Sequence, residues 1–400
     1  MKQAYLDTRF STEKICKPLE VEDLVVQTCP DVSPPKWHMA HTTWFFEKFI
    51  LQQYDKEYKV FESKYNYLFN SYYKTVGNHW QRVDRGKLSR PTVKRIYEYR
   101  EYVDNALTNL IDRQLNEEIS KLIEIGINHE QQHQELLLMD IKHILSLNIE
   151  CPAYLENNME RPENTSSEGW LSIEPGTYEF GSAEENRFFY DNEGPAHKRL
   201  LSSSKVMKAF VTNGQYLDFI NDGGYERPEL WLSLGWDWVN QNQVSAPLYW
   251  KKTENGWKEY TLHGEVRLQK DWPVQHVSLY EADAFARWSG MRLPNEFELE
   301  FLLNLERISS QPNCLHSINK NQSYYNLWSW SSSQYQAYPG YQPYEGSLGE
   351  YNQKFMCNQF VLRGGSYATP NGHLRSTYRN FFEPWQRWMF SGLRLAMDTQ

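Results

Sequence analysis

The sequence predicts two folds in succession: a four-helix bundle over residues 1–150, then an α+β domain over residues 170–398. Three observations carry this reading. The first 150 residues hold four stretches with apolar side chains at helical spacing. The clearest is the proline-free run from Asn116 to Leu147, rich in Leu, Ile, Glu, Gln and Lys. Beyond residue 170, short aromatic segments alternate with Gly, Pro and Asn turns. Between the two lies Cys151-Pro152-Ala153 and a polar run through 169, so 151–169 reads as a linker.

Taken in order, residues 5–28 form an amphipathic helix with Leu19, Val21, Leu24 and Val25 on its apolar side. Asp31-Val32-Ser33-Pro34-Pro35 breaks it and starts the next, with Ser33 as N-cap and Pro34 in the first helical position. That second helix runs from Lys36 to about Gln53, with Trp37, His41, Phe45 and Phe49 on one face. Residues 55–90 read as a long irregular loop dense in Tyr, Asn and Arg, a kind of segment that often carries function. Pro91 opens a third helix, about 92–112, and 116–147 is the fourth. In the second domain, helices are expected at 213–221 and 280–289.

The fourth helix carries His129-Glu130-Gln131-Gln132-His133. Residues four apart lie about 40° from each other around a helix axis, so both imidazoles leave on one face. Leu122, Leu136, Asp140 and Ile144 share that face, which points it into a core. Two neutral imidazoles so placed make a two-point metal clamp. A third ligand is wanted, and either His38 or His41 on the second helix can reach it. In the long loop, Tyr72 and Tyr73 are candidate proton donors, and Arg82, Arg85 and Arg90 are candidate carboxylate grips.

The composition narrows the function further. The net charge of −9 argues against a nucleic-acid or membrane-surface partner. Fifteen Trp and 27 Tyr suggest a surface or pocket built of large rings. The five cysteines are scattered with no CxxC, so neither a disulfide framework nor a zinc ribbon is expected. The first ten residues lack the apolar core of a signal peptide, and no apolar run approaches membrane-spanning length, which points to the cytoplasm.

Several stretches carry a family resemblance. Residues 170–398 resemble the formylglycine-generating-enzyme-type domain, a variant of the C-type lectin fold. The matching segments include Glu174-Pro175-Gly176-Thr177-Tyr178, Asp191-Asn192-Glu193-Gly194-Pro195, Trp288-Ser289-Gly290-Met291-Arg292-Leu293-Pro294, Leu362-Arg363-Gly364-Gly365-Ser366-Tyr367 and Gly392-Leu393-Arg394-Leu395-Ala396. The copper-dependent oxidation of the founding family needs two cysteines after Gly-Gly-Ser-Tyr, and 368–380 has none. Residues 1–150 resemble the DinB-like bundle through Ala40-His41-Thr42-Thr43-Trp44-Phe45-Phe46-Glu47 and His129-Glu130-Gln131-Gln132-His133-Gln134-Glu135-Leu136. Fused together, the two resemble the EgtB/OvoA-type non-heme iron sulfoxide synthases.

That resemblance implies iron(II) held by His41, His129 and His133, with O₂ as co-substrate. It implies joining of a cysteine-type sulfur to the imidazole of hercynine (N-α-trimethylhistidine) or of histidine, in ergothioneine biosynthesis. Asn70-Ser71-Tyr72-Tyr73 matches the tyrosine pair of the cysteine-using branch. Phe382 and Gln386 stand where the γ-glutamylcysteine-using branch has an Asp and an Arg, which favours free cysteine, its carboxylate held by Arg82, or by Arg85 or Arg90. Gln132 and Asn380 match positions that bind the betaine carboxylate, and Tyr378 and Phe381 are candidate walls for the quaternary ammonium. The chain stops at Gln400 without the methyltransferase domain usual in OvoA, which favours hercynine. The alternatives are an OvoA-like histidine enzyme, a selenoneine-type carbon–selenium bond former, an H-E-x-x-H zinc metallopeptidase with Glu130 as base, and a non-catalytic lectin-like binding protein with a structural metal.

Overall fold

The computed structural model describes residues 1–155, 169–183, 187–305 and 327–399. Most of the expected linker lies outside them. The chain divides into two compact units. One comprises Met1–Glu156 with Leu262–Gly264 and Gly346–Glu350; the other comprises Asn157–Thr261, Glu265–Glu345 and Tyr351–Gln400. The first unit therefore takes in two short excursions that the sequence reading gave to the second domain. The Leu155 amide donates to the Leu262 carbonyl at 3.0 Å. The Lys74 and Thr75 amides donate to the Glu350 carboxylate at 3.0 and 2.8 Å.

Four long helices build the first unit: α1 (Lys2–Cys16), α2 (Pro35–Phe46), α3 (Val93–Gln114) and α4 (Glu117–Ser146). The expected helix 5–28 stops at Cys16, because Lys17 precedes Pro18, whose ring disfavours helical geometry at the residue before it. Beyond it only a single 3₁₀ turn forms, Asp23–Val25. Helix α2 begins at Pro35, one residue before the expected Lys36, with Pro34 rather than Ser33 at the N-cap and Pro35 rather than Pro34 inside the first turn. A π-helical turn, Glu47–Leu51, extends α2. Helices α3 and α4 start on side-chain caps: Thr92 Oγ1 accepts the Arg95 amide at 3.2 Å, and Asn116 Oδ1 accepts the Ile119 amide at 2.9 Å. All twelve residues of α2 are buried, so it is the central helix, packed on α3 and α4, while α1 packs on α4. Gly126 lets α2 and α4 approach closely: a Cβ there would lie 2.4 Å from the Phe46 ring. The 55–90 stretch is less irregular than expected, since it contains a short helix, Tyr65–Phe69, and a 3₁₀ segment, Arg82–Lys87.

In the second unit, a three-stranded antiparallel sheet runs Trp170–Ile173, Ser204–Met207, Ala396–Asp398, with Trp170 opposite Met207 and Ala396 opposite Val206. A four-stranded sheet runs Asn380–Phe382, Phe360–Gly364, Trp328–Gln334, Ser391–Gly392, the last strand parallel to its neighbour. Ile173, Phe180, Leu201, Val206, Leu302, Leu303 and Ala396 form one core cluster. The expected helices appear at Asn213–Asn221 and Leu279–Trp288, each opened by a reciprocal capping box (Thr212 with Gln215, Ser278 with Glu281). Two more, Ser233–Asn242 and Glu296–Leu305, were not expected. The second reads Glu-Phe-Glu-Leu-Glu-Phe and buries all three glutamates, each against an arginine: Glu296 with Arg379 and Glu298 with Arg292, both at 2.8 Å, and Glu300 with Arg363. Among the described residues, no helix is long and apolar enough to cross a membrane.

Candidate metal centre

One face of α2 and one face of α4 bring together His41, His129 and His133. A nitrogen from each lies within 4.8 Å of the others. The four-residue spacing on α4 sets the pair, with ring centroids 4.7 Å apart, and the close α2–α4 approach at Gly126 brings His41 to 5.0 Å from His129 and 4.7 Å from His133. Burial, reinforced by His129, holds His41 well below the ordinary histidine range; burial holds His129 down to about 3, and burial again lowers His133. All three are therefore neutral, as metal ligands must be.

The short helix in the long loop fixes His41. The His41 Nδ1–H donates to the Phe69 carbonyl at 2.6 Å, which leaves the Nε2 lone pair facing the other two imidazoles. That Nε2 is buried with no hydrogen-bond partner among the described residues. A buried nitrogen left as a bare acceptor is costly unless something positively polarised fills the space before it, so this donor set fits a divalent metal. The same helix holds the flanking indoles: Trp37 Nε1–H donates to the Leu68 carbonyl at 3.3 Å, and Trp44 Nε1–H to Asn66 Oδ1 at 3.1 Å. Both stack on His41, Trp37 at 4.6 Å and 12°, Trp44 at 5.6 Å and 17°. Phe45 covers His129 at 4.5 Å.

His38 is not a third ligand. Both its nitrogens are engaged, Nε2 with Asp140 Oδ2 at 2.9 Å and Nδ1 with His133 Nδ1 at 2.8 Å. Glu130 is not placed to act as a base beside these histidines either. It points to the other side of α4, buried, accepting from Arg9 at 2.7 Å, Arg100 at 3.1 Å and Thr12 at 2.6 Å. Burial alone would raise its pKa, but the two guanidiniums outweigh that and hold it down to about 2. This removes the metallopeptidase reading, which needs that carboxylate free beside the metal.

The three arginines differ. Arg82 is exposed and donates to the Asp31 carbonyl; Arg90 is exposed and donates to the Ser89 carbonyl at 3.0 Å. Arg85 is buried over the Trp37 ring, 3.3 Å from its centroid, and Trp37 in turn stacks on His41. It donates to Ser33 Oγ at 2.9 Å and Ser71 Oγ at 2.8 Å, and its Nε has no partner among the described residues. Burial pushes its pKa well below the usual guanidinium value, the mark of a cation without a matched anion. The sequence reading ranked Arg82 first; burial and stacking favour Arg85.

Tyr73 is buried, its ring against Trp44 at 5.8 Å and Phe49 at 5.2 Å; Tyr72 stacks on it at 4.6 Å and is half-buried. Asn70 ties the turn, accepting the Tyr73 amide and donating to its carbonyl, both at 2.9 Å. Gln132 is half-buried on α4 beside His133. In the second unit, Asn380 Oδ1 accepts the neighbouring Phe381 amide at 2.9 Å, and Phe381 stacks on Tyr335 at 4.1 Å. Tyr378 is no open wall: it is buried in that unit's core, with Trp328 at 5.3 Å, Tyr190 at 5.7 Å and Arg375 over its ring at 5.0 Å. Gln386 closes a turn by accepting the Glu383 amide at 2.9 Å, and Phe382 packs on Trp388.

The Sulfatase-modifying factor enzyme 1-like domain matches residues 155–304. Among curated proteins, the chain is 31% identical over 311 residues to "Hercynine oxygenase" of Mycolicibacterium smegmatis, spanning 68% of this chain and 71% of that protein. It is 28% identical over 413 residues to "Hercynine oxygenase" of Mycolicibacterium thermoresistibile, spanning 92% and 88%. It is also 28% identical over 243 residues to "Ergothioneine biosynthesis protein 1" of Schizosaccharomyces pombe, spanning 54% of this chain and 29% of that protein. The match to the Mycolicibacterium thermoresistibile protein spans 92% of this chain, and a helical region followed by a sulfatase-modifying-factor-type domain is what the structure contains. The chain belongs to the hercynine oxygenase family and is an enzyme of the oxygenase class.

Proposed function

We propose that the chain is an iron(II)- and O₂-dependent sulfoxide synthase that joins the sulfur of cysteine to the imidazole of hercynine, in ergothioneine biosynthesis. The observation that carries this reading is the buried cluster of three neutral imidazoles on α2 and α4, with His41 held as a bare Nε2 donor. The names of the relatives supply the substrate class.

His41, His129 and His133 would hold the metal, and three neutral nitrogen ligands leave positions open, which suits iron(II) in oxygenases. Bound iron would supply a redox centre at which a thiol loses its proton and dioxygen is reduced. The chain's own residues do the rest. Arg85 grips the carboxylate of cysteine with a guanidinium that forms no salt bridge among the described residues and lies over the Trp37 ring. The indole walls, Trp37 and Trp44, together with Phe45, exclude water around the imidazoles. Tyr73, buried behind Trp44, is the preferred proton donor, with Tyr72 stacked on it to complete the pair. Gln132, on α4 beside His133, stands as a proposed contact for the betaine.

The test is mass spectrometry of aerobic reactions containing protein, iron(II), cysteine, and either hercynine or histidine. The reading expects a cysteine-adduct sulfoxide of hercynine in excess over that of histidine. Turnover of histidine alone would make the chain OvoA-like, and oxidation of cysteine with no adduct in either tube would end the proposal.

A further inference from the structure

Asp140, His38 and His133 form a buried chain of contacts that the ligand set itself does not explain. His38 sits one turn before His41 on α2, and Asp140 lies two turns after His133 on α4, so each helix contributes to the contact from the side of its own ligand. Asp140 Oδ2 meets His38 Nε2 at 2.9 Å and also accepts the Ser33 amide N–H at 2.8 Å. His38 Nδ1 meets His133 Nδ1 at 2.8 Å. His38 and Asp140 are both almost wholly buried.

The proton positions follow from which groups can donate. An oxygen that already accepts one N–H serves as an acceptor for the second, so His38 carries its hydrogen on Nε2. A neutral His38 then has only a lone pair at Nδ1. A 2.8 Å contact between two ring nitrogens needs one hydrogen between them, so it sits on His133 Nδ1. His133 Nε2 is left as a bare lone pair. His41 reaches the same state by donating Nδ1–H to the Phe69 carbonyl. The two ligands are thus set in one tautomer by different devices, a backbone carbonyl for one and an acid-backed imidazole for the other.

We propose that Asp140 and His38 are positioning residues, a carboxylate–imidazole relay that fixes His133 as its Nδ1–H tautomer and aims Nε2 at the metal. This rests on the metal-centre reading above. A group that orients a ligand in this way supports metal affinity by about 10–100-fold. Ser33 anchors the relay from outside, because its amide holds Asp140 while its hydroxyl accepts from Arg85 at 2.9 Å; the ligand set and the proposed carboxylate grip therefore share one support.

The experiment has two arms. In the metal-free full-length protein, histidine labelled with ¹³C and ¹⁵N in the ring reports the His133 tautomer by NMR, the signal being assigned by its loss in His133→Gln. Separately, cobalt(II) is titrated into wild type, His38→Ala and His38→Gln, and the cobalt absorption bands are followed. The relay expects an Nδ1–H tautomer in the wild type. It expects cobalt affinity to fall about 10–100-fold in His38→Ala with altered bands, and to be largely restored in His38→Gln, whose amide both donates and accepts. An Nε2–H tautomer in the wild type, or unchanged affinity and bands in folded His38→Ala, would overturn it. Should His38→Ala fail to fold, the wild-type tautomer still decides. A wild type that binds no cobalt would sink the metal centre and the relay together, whereas cobalt binding by an Nε2–H His133 would sink the relay alone.

Discussion

Replacing Glu130 by Gln separates two roles for a residue that the sequence offers as a catalytic base. In the structure its carboxylate is fully buried and takes three hydrogen bonds: Arg9 at 2.7 Å, Thr12 at 2.6 Å and Arg100 at 3.1 Å. Breaking a buried ion pair by neutralising one partner costs about 3–5 kcal/mol, because the other charge is left uncompensated. Two features reduce that figure here. Arg9 keeps Asp104 at 2.8 Å, and Arg100 keeps Glu13 at 3.3 Å. A glutamine also retains one acceptor oxygen, and its amide can donate to Thr12 Oγ1. The expected loss is therefore at the low end, about 2–4 kcal/mol. Guanidinium unfolding followed by far-ultraviolet circular dichroism measures it, and cobalt titration of the folded variant checks the metal site. Metal affinity is expected to stay within about threefold, since Glu130 faces away from the imidazoles, and threefold is about 0.6 kcal/mol. Wild-type stability combined with complete loss of turnover would refute this reasoning and restore Glu130 as a catalytic base.

Arg85→Met should leave stability unchanged or raise it, because it removes a buried cation with no paired acid. It should also raise KM for cysteine about 10–150-fold, the value of one charge-assisted contact of about 1.5–3 kcal/mol; an unchanged KM would return the role to Arg82. Tyr73→Phe should divert turnover from sulfoxide to simple thiol oxidation, with sulfoxide formation down about 100-fold or more, and Tyr72→Phe should do less. Product analysis by mass spectrometry reads both, and wild-type product ratios in both would place the proton donor elsewhere. The metal-free protein should lose stability in acid. The three buried histidines titrate below their unfolded value, His129 at about 3, so below about pH 6.5 the unfolded chain binds protons that the folded chain refuses. Stability is full above that pH and falls on acidification, by about 2–4 kcal/mol between pH 7.5 and 5.5; equal urea midpoints at the two values would contradict it.

The parts of this molecule legible in the sequence are those written in short spacings. His129 and His133, four apart on an uninterrupted helix, required no long-range information, and the helix bounds matched within a residue. The change of texture near residue 170 likewise marked the second fold. What stayed hidden depends on distant partners. Nothing local shows that Glu130 is bound by arginines 121 and 30 positions away. Nothing local shows that Arg85 is buried, since an arginine in a polar loop ordinarily faces water. The helix Glu296–Leu305 alternates charged and apolar residues as a strand would, and only burial of its glutamates against Arg292, Arg363 and Arg379 explains its form. His38 was indistinguishable from His41 by position alone; the contact with Asp140 separates them.

The most direct test of the central claim is anaerobic equilibrium dialysis against iron(II), with X-ray absorption on the loaded protein. The account predicts one iron per chain, three imidazole nitrogens around it, and loss of stoichiometric binding in His41→Ala, His129→Ala and His133→Ala. Full iron binding retained in any one of these variants, or a coordination shell without three imidazoles, would contradict it.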